Sequence, residues 1–349
     1  MTRVSKYSVI AFLVFCWLVQ AQAQTEVQAE FDTQPADSIV SNSLYVDYSD
    51  QWLLKLMTVS KSNALEIINR NSNTSLRLRP LDVVSMGFGF NYKWFGLSFG
   101  IGIPANAADE KKYGKSERVD VQVNIYSKKF VVDAFVQEYQ GFYVDNVDKL
   151  MQWDEPIEPQ RPKMHAFSLG LGAYYVFNFE NFSYKAAYIR NAVQKRSAGS
   201  FLLGGFYNLN SAGFPPEDKA SFVPNYFPIE IQQSIPIEEY FSRNVGISFG
   251  YTHTFVFFKR FFLNLSLLPG IGAKSITVHR DGIRERKNSL GVLFNSRTAI
   301  GYENKYFLLG LTTYAITGSM QFEEYEIKPS TSNLKFFVAK RLDFTREKK

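Results

Sequence analysis

Two neighbouring stretches of this chain alternate with almost no errors. Over 86–92, Met86, Phe88, Phe90 and Tyr92 interleave with Gly87, Gly89 and Asn91. Over 95–103, Phe95, Leu97, Phe99, Ile101 and Ile103 interleave with Gly96, Ser98, Gly100 and Gly102. A period of two is the signature of a β-strand. Here one face is large and apolar and the other is tiny or polar. A soluble sandwich buries its large residues and shows polar, often charged, residues to water. A transmembrane barrel shows large apolar residues to lipid and keeps small or polar ones inside. The pattern recurs along the chain, which points to an all-β fold, an antiparallel transmembrane β-barrel.

The N-terminus reads as a cleaved secretory signal over 1–23. Arg3 and Lys6 form the positive start, 7–19 an apolar core too short to span a bilayer well, and Ala21-Gln22-Ala23 the cleavage site. Cys16 is the only cysteine and goes with the signal, so the mature chain has no disulfide, thiolate metal site or cysteine nucleophile. Removing Arg3 and Lys6 takes 39 basic residues to 37, against 33 acidic, a net charge of +4. The charges form no basic stripe, and nucleic acid is not an expected partner. No later segment holds eighteen consecutive apolar residues, so a membrane-spanning form has to be a closed barrel whose backbone groups pair with one another.

The segment 24–50 is polar and reads as a periplasmic lead-in; the barrel then occupies 51–349. Strands are expected at 52–59, 86–92, 95–103, 119–125, 130–139, 167–177, 182–188, 201–209, 245–255, 263–271, 290–302, 307–314 and 334–344. Thirteen is an odd number, whereas a barrel with both ends in the periplasm needs an even one, so twelve or fourteen strands are expected. A strand at 227–235 is opposed by Pro228 and Pro236. Connections alternate in length. Short ones lie near Lys93, Lys128, Glu180, Lys259 and Asn304, and long ones near 104–116, 140–164, 210–242, 275–289 and 317–332. Aromatic residues crowd the short turns, among them Tyr92, Trp94, Tyr126, Phe130, Phe177, Phe182, Phe261 and Tyr302, as an interfacial girdle requires.

One family shares a specific segment with this chain. Residues 182–205, FSYKAAYIRNAVQKRSAGSFLLGG, carry the resemblance, above all Gln194-Lys195-Arg196-Ser197-Ala198-Gly199-Ser200. Asp133 with residues 137–143 (QEYQGFY), Pro269-Gly270 and Gly301-Tyr302 support it. In these residues the chain resembles the Bacteroidetes domain of unknown function family 4421. The resemblance implies an outer-membrane-type barrel and no assigned activity. The chain departs from the common pattern at its end, where five polar residues follow Phe344.

Strand phase turns Arg118, Asp120, Asp133, Gln137, Lys185 and Arg297 inward. Mixed charges in a confined interior should pair, since an unpaired buried charge is costly. They serve either as a constriction on a polar path or as filling that ties the walls together. Arg190, Gln194, Lys195, Arg196 and Ser197 are candidates for a plug folded into the lumen, or for contact with an anion such as a lipid phosphate; a solvated basic loop is the plain alternative. His165, His253 and His279 show no spacing to a serine and an acid, so a lipase or deacylase is only an alternative. A soluble lipocalin-like binding barrel would need apolar inward faces, and these are glycine, serine and charge. No metal or cofactor is expected. The expected setting is the outer membrane of a Gram-negative bacterium, reached through the general secretory pathway, with its lipid and lipopolysaccharide as partners and small solutes as possible cargo for a narrow channel.

Overall fold

The computed structural model describes residues 44–342, apart from 83, 94, 104, 219, 305 and 306. The stretch 1–23 read above as a signal, most of the stretch read as a lead-in and the last seven residues lie outside the described residues. In chain order the elements are β1 (Tyr45–Asp47), β2 (Trp52–Asn69), β3 (Thr74–Arg79), β4 (Val84–Tyr92), β5 (Phe95–Gly102), α1 (Ala107–Tyr113), β6 (Glu117–Tyr126), β7 (Phe130–Val144) and β8 (Gln160–Val176). They continue with α2 (Tyr184–Tyr188), β9 (Ala192–Gln194), β10 (Ala198–Gly213), α3 (Ile229–Ser234), β11 (Ile237–Phe257) and β12 (Phe261–Arg280). The last are β13 (Ile283–Glu303), β14 (Leu308–Gly318), β15 (Met320–Phe322) and β16 (Tyr325–Leu342).

Antiparallel pairing of β16 with β2 closes the sheet on itself. From β7 round through β8, β10–β14 and β16 to β2 the wall is continuous. Between β2 and β7 it takes two routes. At the long-loop end the short β3 joins them, which gives a ring of ten strands. Lower down, β4, β5 and β6 lie between them, which gives twelve.

The faces are inverted relative to a soluble protein. On β12, Leu265, Leu267 and Ile271 are 46%, 53% and 54% exposed, while Asn264, Ser266 and Lys274 between or beyond them are buried. The apolar outward run covers 261–273 on β12, 245–257 on β11 and 290–300 on β13, broken only by small or polar residues such as His253 and Ser296. Each run is close to the ~9–11 residues that a tilted strand needs to cross hydrocarbon. Beyond it the same strands turn outward-polar, with Arg243, Ser275, and Arg284 with Arg286. At 20 and 21 residues these strands are about 70 Å long at ~3.4 Å per residue, and their far halves project past the apolar belt. Aromatic rings pack at the short-turn end of the belt. Trp52 stacks on Tyr92 with centroids 4.8 Å apart, Tyr175 meets Phe130 and Phe177, and Phe261 meets Tyr302 at 4.9 Å.

Several sequence expectations are corrected. Residues 182–188 are not a strand. Ser183 caps a helical turn by accepting a hydrogen bond from the Ala186 amide, and Tyr184 and Tyr188, one turn apart, pack ring on ring. Phe182 is therefore buried rather than part of the girdle, and Tyr126, also expected there, points inward from β6 and is buried too. Residues 275–289 are not a long loop but a tight hairpin, with Asp281 and Gly282 both at positive φ. That is the two-residue turn whose twist matches its strands. Residues 317–332 are mostly strand, in β15 and β16. Residues 44–50 are not a free lead-in, because β1 pairs with β9 inside the ring's short-turn end.

The long-loop end holds an apolar core. Leu76, Leu78, Phe142, Phe222, Ile237, Ile276, Phe322 and Ile327 are all almost completely buried there, gathered from β3, β7, the 214–236 connection and the far halves of β11, β12, β15 and β16. Lining residues that are polar lower down become apolar here, and the connections fold over the opening.

Candidate functional site

The centre of the interior is a charge bridge between distant walls. Arg297 on β13 and Asp133 on β7 lie 2.6 Å apart, although β8, β10, β11 and β12 separate them in the sheet. Their contact therefore crosses the lumen. Asp133 also accepts from the Tyr126 hydroxyl at 2.6 Å and the Asn124 amide at 2.5 Å. Arg297 also donates to the Tyr126 oxygen at 2.8 Å and sits over the Tyr314 ring at 4.6 Å. Both side chains are buried, so the cost of desolvating them is met by several strong partners.

A second group lies between β2, β6 and β7. Asp120 pairs with Lys61 at 2.5 Å and accepts from the Gln137 amide at 2.8 Å. Its other oxygen, and the oxygen of Gln137, are buried without a hydrogen-bond partner among the described residues. Arg118 reaches from β6 past β5 to donate to Ser85 on β4 at 2.5 Å. These charges surround a cavity of about 440 Å³, which Ser98, Gln122 and Lys335 also line.

The short-turn end is filled by the connection 177–197. The Tyr188 hydroxyl donates to Asn264 on β12 at 2.6 Å, the Ile189 carbonyl accepts from Lys55 on β2 at 2.8 Å, and Tyr184 packs edge-on to Tyr126. Arg190, fully buried and at positive φ, pairs with Glu303 and lies over the Phe262 ring at 3.9 Å. Arg341 binds the other oxygen of Glu303 and the Arg190 carbonyl. Gln194 is spent on backbone, donating to the Asn181 carbonyl at 2.8 Å and accepting from the Ser183 amide. Ser197 accepts from the Val256 amide. Lys195 lines a vestibule of about 500 Å³ at this short-turn end with Lys259 and Arg260, and Arg196 is exposed.

Lys185 does not lie on the wall. It is on α2 and pairs with Asp47 at 2.8 Å, which fastens β1 to the plug segment. Burial alone would push the Asp47 carboxyl up. The Lys185 ammonium and hydrogen bonds from Lys185 and Ser49 outweigh it and hold Asp47 below its ordinary value.

Sequence reasoning missed Lys55, Lys61, Lys335 and Glu303. The signal for three of them was present. Lys55 and Lys61 share the phase of the buried Leu53, Met57 and Val59, and Lys335 shares that of Phe337, Ala339 and Arg341. The three histidines stand apart from one another. His253 faces outward beside Tyr251, His279 pairs with Glu238, and His165 lies on the outer part of β8. Among the described residues no cluster of metal-ligating side chains occurs and no helix is long and apolar enough to cross a membrane.

The sequence matches one family model, described as "Domain of unknown function (DUF4421)", over residues 36–341. No curated protein matches. Among solved structures, the outer-membrane protease OmpT from Escherichia coli aligns at 8% identity and a TM-score of 0.38, covering 85% of this chain and 98% of that one. The translocator domain of the autotransporter NalP from Neisseria meningitidis aligns at 7% identity and 0.33, covering 98% and 100%. The toluene transporter TodX from Pseudomonas putida aligns at 8% identity and 0.26, covering 83% and 89%.

Proposed function

The chain belongs to the DUF4421 family, and on that footing we propose that it is an outer-membrane β-barrel closed along its axis, structural or assembly-associated rather than an open pore. The exposed apolar belt supports a place in the bilayer, since hydrocarbon is the solvent that such a surface fits. Export through the general secretory pathway, a Gram-negative outer membrane and contact with its lipid and lipopolysaccharide belong to the same reading. The single observation that carries the closed axis is the stack of obstructions along it. The apolar cap covers one end, the Asp133–Arg297 bridge crosses the middle, and the 177–197 segment fills the other end. In this reading the inward charges tie walls together, and a solute crosses only if the plug moves. The lipase or deacylase alternative draws no support from three histidines that lie apart.

Conductance in planar bilayers tests this reading. The intact protein is expected to conduct little or not at all. Glu303→Gln strips both Arg190 and Arg341 of their shared carboxylate, so it is expected to loosen the plug and raise conductance. Lys195→Gln with Arg196→Gln is expected to change nothing, because neither side chain anchors the segment. A large, steady conductance in the unaltered protein would overturn the closed-axis reading.

A further inference from the structure

The wall has a window. β5 and β6 pair only at Phe95↔Ile125 and Gly96↔Asn124, next to the short turns. Above that point residues 98–102 pair with β4 alone and 117–123 with β7 alone. The two strands then part. The gap closes again towards the long-loop end, where β3 pairs with β7 and Ser116 bonds both Gly141 and Leu81. Two facing strand edges with unpaired backbone groups are unfavourable in hydrocarbon, so at this depth the window calls for an occupant.

The surroundings of the window say which kind. Its outer rim is apolar: Ile101 is 81% exposed, and Phe99, Ile103 and Val119 are also exposed. Behind it lies the 440 Å³ chamber, within the size range of small-molecule sites. Inward residues of β5 at the opening are Ser98, Gly100 and Gly102, too small to obstruct it. Three cations, Lys61, Arg118 and Lys335, and two carboxylates, Asp120 and Glu110, face the chamber, a net positive lining. Asp120 occupies Lys61 and Ser85 receives Arg118, but Lys335 has no hydrogen-bond or ion-pair partner among the described residues. An ammonium with no direct partner, in a lining whose cations outnumber its carboxylates, favours an anion.

We propose that the β5–β6 window is a lateral binding site for an anionic amphiphile drawn from the bilayer. The acidic head enters the chamber to meet Lys335 and Arg118, and the hydrocarbon chain stays in the membrane against Phe99, Ile101 and Val119. The site rests on the proposed place in the outer membrane but not on the closed axis.

The test is equilibrium binding of a long-chain fatty acid with a fluorophore at its chain end, to full-length protein in neutral maltoside micelles. Lys335→Gln is expected to weaken binding about tenfold, as the loss of one charge-assisted contact does. Gly100→Trp is expected to abolish it. A Cβ at Gly100 meets nothing closer than Ser85 Cβ at 3.6 Å, so the indole has room to enter and fill the chamber. Lys195→Gln, outside the site, is expected to bind as the parent does. Heat-modifiable gel mobility checks that each variant is folded, and a variant that fails is replaced by Lys335→Met or Gly100→Phe. Unlabelled oleate should compete and acetate at the same concentration should not. Equal binding by parent, Lys335→Gln and Gly100→Trp would overturn the proposal, as would acetate competing as well as oleate. So would a peptide strand found seated on the β5 edge. Loss of the protein from the outer-membrane fraction would instead overturn the proposed location.

Discussion

Breaking the cross-lumen bridge should cost far more than a typical polar substitution. Asp133→Leu leaves the Arg297 guanidinium buried with only the Tyr126 hydroxyl and two tyrosine rings; Arg297→Met leaves the Asp133 carboxylate with two neutral donors. An uncompensated buried charge costs about 3–5 kcal/mol, so each single variant should lose that much stability. The double variant replaces both charges with apolar groups of similar size. Such replacement of a buried pair is often neutral, so the double should lie within about 1.5 kcal/mol of the parent, well above either single. Urea unfolding from lipid vesicles, followed by tryptophan fluorescence, measures all four corners of the cycle. Single variants within about 0.5 kcal/mol of the parent, or a double equal to the sum of the singles, would refute the bridge as a tie between opposite walls.

Acid should release the plug through Asp47. Its carboxyl is held below the ordinary 3.8, so the Lys185 pair stabilises the plug fully above that pH and fails as the pH falls through the lower folded-state value. Bilayer conductance should rise only in that acid range, and Asp47→Asn should show no such step. In the outer cap, Phe222 is completely buried, so Phe222→Ala should cost about 3–5 kcal/mol. Limited proteolysis should then cut 214–236 while the barrel stays folded. On β10, a Cβ at Gly204 would overlap the Ala173 carbonyl, whereas one at Gly205 has 3.6 Å to its nearest neighbour. Gly204→Ala should destabilise by about 1–3 kcal/mol and Gly205→Ala by almost nothing, as chemical denaturation will show.

The wall was legible because its rule is local. Wherever a strand alternates Leu or Phe with Gly, Ser or Asn, as β11 and β12 do, one period fixes both the strand and the sense of its faces. Such alternation gave β4 to β8 and β11 to β13, and on β6, β7 and β13 it places Asp120, Asp133, Gln137 and Arg297 on the inward phase. What failed was whatever depends on partners far along the chain. Phe182, Tyr184, Ala186 and Tyr188 alternate as a strand would, and only a lumen waiting to be filled makes them a capped helical turn. Lys185 therefore points at Asp47 rather than at the wall. The 275–289 hairpin was hidden because its outward residues are charged, and only Asp281-Gly282 signalled the turn. The parting of β5 from β6 leaves no mark in either strand, since each alternates well by itself and register is a property of the pair.

Accessibility of β12 to lipid-borne and water-borne probes tests the membrane reading most directly. Cys16 is the only cysteine in the sequence, so in a Cys16→Ser background Leu265→Cys, Ser266→Cys, Leu267→Cys and Ile271→Cys can each carry a single spin label. In reconstituted vesicles, labels at 265, 267 and 271 should relax with dissolved oxygen and ignore a water-soluble nickel complex, while the label at 266 should be shielded from oxygen. Nickel reaching 265 and 267 as readily as oxygen does, or no alternation along the strand, would contradict a barrel with its apolar face in hydrocarbon.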